Sequence, residues 1–204
     1  MISRCAALFL LILIVAGCGK PFRVSPQVQS VPGELAGQTA SHQLAVQAHA
    51  LMDEDELMSL FNGNLILARL LVVRVSLSNQ GDEPIRLRGL QLRLKDAQGQ
   101  TFQWLTPRRA VEQLYDYYQI STYRIAARKE IEAEFDQAAL QLEQDLQPGE
   151  RRQGLVYFRF PKNGDPFDRT DHLMVRVERL RRPTSGQRIS IELRLDRSQA
   201  TAEH

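Results

Sequence analysis

Over most of residues 43–197 the apolar positions recur with a period of two. Leu44, Val46, Ala48 and Ala50 alternate with Gln and His, the pattern of a strand with one buried face. Leu65–Ser78 gives the strongest such signal. Leu71, Val73, Val75 and Leu77 face one way and Arg74, Ser76 and Ser78 the other, and Asn79-Gln80-Gly81-Asp82 follows as a turn. In Pro84–Asp96 the parity switches, because Ile85 and Leu87 are odd-numbered whereas Leu90, Leu92 and Leu94 are even-numbered. A one-residue slip would put half of these side chains on the wrong face, so Gly89 at the switch predicts a β-bulge. Ala97-Gln98-Gly99 turns the chain into Thr101–Leu105. Later alternations run through Val156, Phe158 and Phe160, then Leu173, Val175 and Val177, then Ile189, Ile191, Leu193 and Leu195.

The period lengthens in two places. Asp53–Leu60 predicts a short helical turn with its acids near the N-terminus. Thr106-Pro107 is an N-cap and first-turn pair. The face Val111, Leu114, Tyr115 and Tyr118 has i, i+3, i+4, i+7 spacing. After a break near Ile120-Ser121-Thr122, a second helix is predicted over Tyr123–Leu146, with Ile131, Phe135, Ala138, Leu142 and Leu146 as its apolar stripe. Gln147-Pro148-Gly149 ends it. The fold class is therefore mainly β: about seven one-sided antiparallel strands with a two-helix insertion at 107–146. Such strands must bring their apolar faces together. An immunoglobulin-like β-sandwich is the simplest arrangement, and a small antiparallel barrel is the alternative.

Before and after this region the pattern disappears. Residues 18–42 are rich in Gly, Ser, Gln and Pro, which predicts a flexible tether with a coil span of roughly 25–30 Å. Residues 198–204 form a polar tail. Residues 1–17 read as an export signal. Arg4 supplies the positive charge, and Ala6–Ala16 is an apolar run too short for a membrane span, which needs roughly 20 residues. The run ends in Val15-Ala16-Gly17-Cys18. This resembles the bacterial lipobox, which implies that Cys18 is lipidated and becomes the first mature residue. Gly19 after it implies, on the same resemblance, the outer membrane. The expected localisation is thus the bacterial cell envelope, with the domain lipid-anchored and facing the periplasm.

That reading changes what the two cysteines mean. Cys5 leaves with the signal and Cys18 carries lipid, so the domain has no disulfide, no thiol nucleophile and no cysteine-ligated zinc. The whole chain of 204 residues is 43% hydrophobic and 25% charged with net charge +2, which fits one globular domain and gives no support for nucleic-acid binding.

The turns carry a further likeness. Asn79-Gln80-Gly81, Leu94-Lys95-Asp96-Ala97-Gln98-Gly99, Leu146-Gln147-Pro148-Gly149-Glu150 and Gly154-Leu155-Val156-Tyr157-Phe158 together resemble the immunoglobulin-like (telokin-like) domains of bacterial lipoproteins. The resemblance implies the fold of residues 43–197 and lends no catalytic residue. The long helical insertion departs from the compact version of that domain.

Catalytic signatures are missing. There is no G-x-S-x-G, S-x-x-K or phosphate-cradling loop. His42, His49, His172 and His204 lack metal-ligand spacing. Asp53-Glu54-Asp55-Glu56 lacks the Gly of a calcium loop and reads as helix N-terminal acid. No catalytic residue, metal or cofactor is implied. Two features point to binding. Tyr115, Tyr117, Tyr118 and Tyr123 crowd the insertion, and Tyr117 falls off its apolar face, which makes it a candidate partner contact. The insertion has eight acidic against five basic residues, whereas residues 150–197 have twelve basic against seven acidic. Within the latter, Arg179, Arg181 and Arg182 form a candidate patch for anionic lipid headgroups or an acidic protein face. The expected function is a non-enzymatic, lipid-anchored envelope protein that acts as an interaction or structural module. The alternative is a periplasm-facing ligand or metal binder, or an enzyme, with its site between insertion and sandwich, bordered by Trp104, Arg108 and Arg109.

Overall fold

A computed structural model describes residues 21–26, 37–120, 125–166 and 172–195, and the structural statements below concern these. The alternating segments become strands: β1 (Gly37–Ser41), β2 (Leu44–Leu51), β3 (Leu70–Asn79), β4 (Gln91–Lys95), β5 (Thr101–Leu105), β6 (Arg151–Arg159), β7 (Leu173–Arg181) and β8 (Arg188–Leu195). All pairings are antiparallel, in the order β1-β2-β3-β6-β5-β4-β7-β8. The strands thus form one continuous sheet of eight where the sequence led to about seven strands in two sheets. β8 comes round against β1 and β2, so the sheet curls nearly closed. The extra strand is β1, which lies within the segment expected to be tether. Its GQTAS sequence has no apolar face, and it is held by its ladder to β2.

The curl encloses one core. Leu44, Val46, Ala48 and Ala50 of β2 face Val73, Val75 and Leu77 of β3, and Val175, Val177, Ile191 and Leu193 line the other side; all are buried. The core continues on the outer face of the sheet, where three helices lie over β3 and β6. These are α1 (Glu54–Phe61), α2 (Pro107–Tyr117) and α3 (Ile125–Ala138). Here Phe135 stacks on Tyr157 at 5.3 Å between ring centres and meets Phe61 at 6.0 Å. The Tyr157 hydroxyl donates to the Phe135 carbonyl at 2.9 Å. With helices on one side and the curl on the other, β3 is buried on both faces, including Arg74 and Ser76.

The α2 start follows the predicted Thr106 cap, and the acidic turn that began at Asp53 is an eight-residue helix capped by that residue. The Asp53 carboxylate accepts from the Glu56 N–H at 2.8 Å and the Thr106 hydroxyl from the Arg109 N–H at 3.4 Å, with Pro107 in the first turn of α2. Their ends differ from expectation. The second insertion helix stops at Ala138 and not at Leu146. Past it the chain runs beside the sheet, where Leu140 N–H donates to the Leu155 carbonyl and Leu146 pairs with Ile85. Of the stripe that predicted a longer helix, Ile131, Phe135 and Ala138 stay in the helix, Leu142 is half-buried, and Leu146 is buried at its bridge to Ile85. Gly154 permits this crossing, because a Cβ there would lie 2.5 Å from the Leu140 backbone. Likewise Leu65–Arg69 is a turn before β3 that buries Leu65, Ile66 and Ala68 and leaves Leu67 exposed, and Gly89 with φ +91° makes a Leu87–Leu90 turn rather than a bulge.

The tether expectation is revised at its start too. Phe22 is only 4% exposed and packs on Tyr118 at 5.3 Å. Arg23 and Ser25 N–H groups donate to the carbonyls of Phe61 and Leu60, and Val24 N–H donates to the Glu134 carboxylate. An aromatic that can be buried and backbone groups that find partners outweigh the polar composition. The signal segment, Cys18, Tyr123 and residues 198–204 lie outside the described residues. Among the described residues no helix is long and apolar enough to cross a membrane.

Candidate functional site: an arginine cleft

A β-bulge builds the most distinctive surface. Val177 pairs with Ile191 and Leu180 with Ile189, so β7 carries one residue more than β8 between them, with Arg179 at φ +64°. The extra residue reverses parity. Without it Arg179 and Arg181 would point with Val175 and Val177 into the core. With it Leu180 is buried, and Arg179 and Arg181 are exposed. Upstream, Ile85 and Leu87 are buried, which turns Arg86 and Arg88 outward, and Arg86 N–H donates to the Arg181 carbonyl at 2.9 Å. Between this segment and the start of β8 lies a cleft of about 750 Å³, lined by Arg86, Arg88, Arg179, Arg181 and Arg188, with Glu178 as its one carboxylate.

Glu178 does little to neutralise the cleft. It is bound to Arg93 at 3.0 Å and Arg176 at 3.8 Å, neither of which lines it. None of the five lining guanidiniums has an ion pair among the described residues. Clustered like charges raise the local potential and draw anions in, and the planar fork of arginine matches carboxylate and phosphate.

Of the expected patch, Arg179 and Arg181 belong to this cleft and Arg182 does not. Arg182 is 3% exposed, and its guanidinium donates to the carbonyls of Glu83 at 2.6 Å and His42 at 3.0 Å and to Asn79 Oδ1 at 3.4 Å. It ties three loops together, so its place in a partner-binding patch is corrected to a structural one. Arg86, Arg88 and Arg188 were missed by sequence reasoning. The alternation around Ile85 and Leu87 marked the first two as outward, but only the fold brings them to β7.

Tyr117 is half exposed and stands edge-on to Tyr118 at 4.9 Å. Tyr118 donates to the Asn64 carbonyl at 3.0 Å, and burial pushes its phenol pKa up. Tyr115 is buried beneath the Arg128 guanidinium, 5.4 Å from its ring centre. Of the residues expected to border a site at the insertion, Arg108 and Arg109 are exposed, Trp104 packs against the core, and none of the three lines the arginine cleft. His49 lies 3.6 Å from Glu56, which Arg74 also meets at 3.3 Å. The His49 hydrogen bond and nearby Arg74 hold the Glu56 carboxyl below its ordinary range, against the opposing effect of burial. Among the described residues no three His, Cys, Asp or Glu side chains gather as metal ligands.

No family model matches the chain, and no curated protein matches it. Solved structures that resemble it include the following two. A conserved hypothetical protein from Bacillus anthracis aligns at TM-score 0.36 and 15% identity, over 69% of this chain and 85% of the other. A DUF4426 family protein from Pseudomonas aeruginosa aligns at TM-score 0.30 and 10% identity, over 78% and 93%. Likenesses of this size carry no argument about function.

Proposed function

We propose that this chain is a non-enzymatic, lipid-anchored protein of the bacterial envelope whose domain holds an acidic segment of a partner protein in the arginine cleft. The cleft is the observation that carries the reading: five guanidiniums, none with an ion pair among the described residues, line one concave surface with a single carboxylate. The anchor and the outer-membrane, periplasm-facing location rest on the lipobox-like Val15-Ala16-Gly17-Cys18-Gly19. The immunoglobulin-like resemblance adds nothing to the proposal, since it named a scaffold and no activity.

A photo-crosslinking residue in place of Ser190, which lines the cleft, tests it in intact cells. The expected result is one recurrent adduct with an acidic envelope protein, lost when Arg179 and Arg181 are both changed to Glu. An adduct that survives the charge reversal refutes the cleft as the contact. A second reading, a small anionic ligand, is favoured by the cleft volume, which lies in the range of small-molecule sites (about 300–1,000 Å³). A thermal shift of the purified protein with pyrophosphate, absent in the double Glu variant, would select it.

A further inference from the structure

The four large apolar side chains exposed among the described residues are Met58 (45%), Leu67 (44%), Tyr117 (50%) and Tyr118 (37%). Two of them adjoin, and the other two lie on neighbouring elements. Tyr118 packs on Phe22 and donates to Asn64, while Tyr117 stands against Tyr118. Met58 lies one turn before Asn62, whose side-chain amide donates to the Pro21 carbonyl at 3.4 Å. Leu67 sits in the Leu65–Arg69 turn, held by Gln113 through the carbonyls of Ala68 and Arg69. All four therefore sit on α1, the loop after it, or the end of α2, the elements that meet the docked segment 21–25. Phe22 approaches so closely that a Cβ on Gly63 would lie 2.8 Å from its ring.

Only Gly19, Lys20 and Pro21 separate Cys18 from the buried Phe22. Four residue steps of fully extended chain reach roughly 14 Å at most. A lipidated Cys18 would therefore bring its acyl chains, and the bilayer that holds them, within that distance of Phe22. A free tether of residues 18–42 would leave the domain unoriented, but one that docks after three residues does not.

We infer that this apolar patch is a membrane seat: Tyr117, Tyr118, Leu67 and Met58 rest in the headgroup layer of the bilayer that holds the Cys18 lipid, with the docked Phe22 segment fixing the domain's orientation. The inference rests on the proposed lipidation of Cys18. The chemistry of the patch fits that occupant. Tyrosine, with an apolar ring and a polar tip, concentrates at headgroup depth. The exposed Arg23 follows Phe22 directly, where its guanidinium can reach lipid phosphates.

The test uses the full-length, lipidated protein in phosphatidylethanolamine and phosphatidylglycerol vesicles that carry a headgroup nitroxide. One fluorophore is attached through Leu67→Cys, at the seat. A second is attached through Gln80→Cys, just past the far end of the ten-residue β3. Mass spectrometry of the mature N-terminus checks the acylation. With Cys18 acylated, quenching at 67 should exceed that at 80 several-fold. Phe22→Ser, which frees the segment, should shrink the difference while acylation persists. Equal quenching at 67 and 80 on an acylated protein overturns the seat and leaves the anchored reading standing. An unmodified Cys18 overturns both. Met58→Cys serves as the seat probe if labelling Leu67 perturbs folding.

Discussion

Arg182 and Arg181 are neighbours in sequence with opposite tasks. Arg181 is exposed in the cleft, whereas Arg182 serves the carbonyls of Glu83 and His42 and the buried Asn79. Arg182→Ala would leave those acceptors buried without their donor, at a cost of about 2–4 kcal/mol. Arg182→Lys should recover little, since an ammonium cannot span what the guanidinium fork reaches. Arg179→Ala and Arg181→Ala should each change stability by less than about 0.5 kcal/mol. Urea denaturation of the four variants checks the contrast, and equal losses at 181 and 182 would contradict it. The charge cluster itself was legible in the sequence, but the division within it was not. It depends on a bulge that resets parity and on Gly81, where a Cβ would lie 2.5 Å from the Arg182 guanidinium. Glu56 yields a pH signature at the same scale. Its folded pKa is lowered, so ionised Glu56 adds stability that is fully present above the ordinary carboxylate range and is lost as pH falls through the lowered folded value. Glu56→Gln should therefore flatten that part of the acid limb, seen as urea midpoints that change less with pH than those of the parent.

At the scale of elements, period-two alternation fixes β2, β7 and β8 because each has one less buried face, and the Thr106 cap and the acids that begin at Asp53 mark two helix starts. What it could not show is an element made by its neighbour. β1 has no apolar face of its own. Leu142 and Leu146 kept helical spacing although the helix ends at Ala138, and Leu146 owes its burial to its bridge with Ile85. Gly154 is where the crossing of the Leu140 backbone beside β6 can be tested. A methyl there must displace the Leu140 backbone rather than a flexible side-chain end. The 2.9 Å bond from Leu140 N–H to the Leu155 carbonyl should then lengthen or break. Gly154→Ala is expected to cost about 1–3 kcal/mol, as overpacking in a filled core does. Were Gly154 merely a flexible strand glycine, alanine would stabilise it by limiting the unfolded chain. The sign of the change in denaturation midpoint decides between the two.

For the whole molecule the question is whether residues 18–42 separate the domain from its anchor or belong to the domain. Composition argues for separation, because Gly, Ser, Gln and Pro dominate. One aromatic argues the other way. Phe22 is buried against Tyr118 and Gly63, and three backbone N–H groups after it find acceptors on α1 and α3. A lone Phe beside Pro21 in a polar stretch was the available sign, but its receptor is assembled from three separate elements, which spacing alone cannot reveal. The two views predict different stabilities for a chain that keeps its fold. If the segment is only a tether, Phe22→Ala alters nothing beyond about 0.5 kcal/mol. If it is part of the domain, removing the ring empties a site between Tyr118 and Gly63. The loss should then be about 2–3 kcal/mol, less than a central Phe because a chain end relaxes more easily. Thermal and urea unfolding of the Phe22→Ala protein measure this without any membrane. Loss of stability there, together with unequal quenching on vesicles, would mean that the contacts holding the first turn of the fold also set its distance from the bilayer.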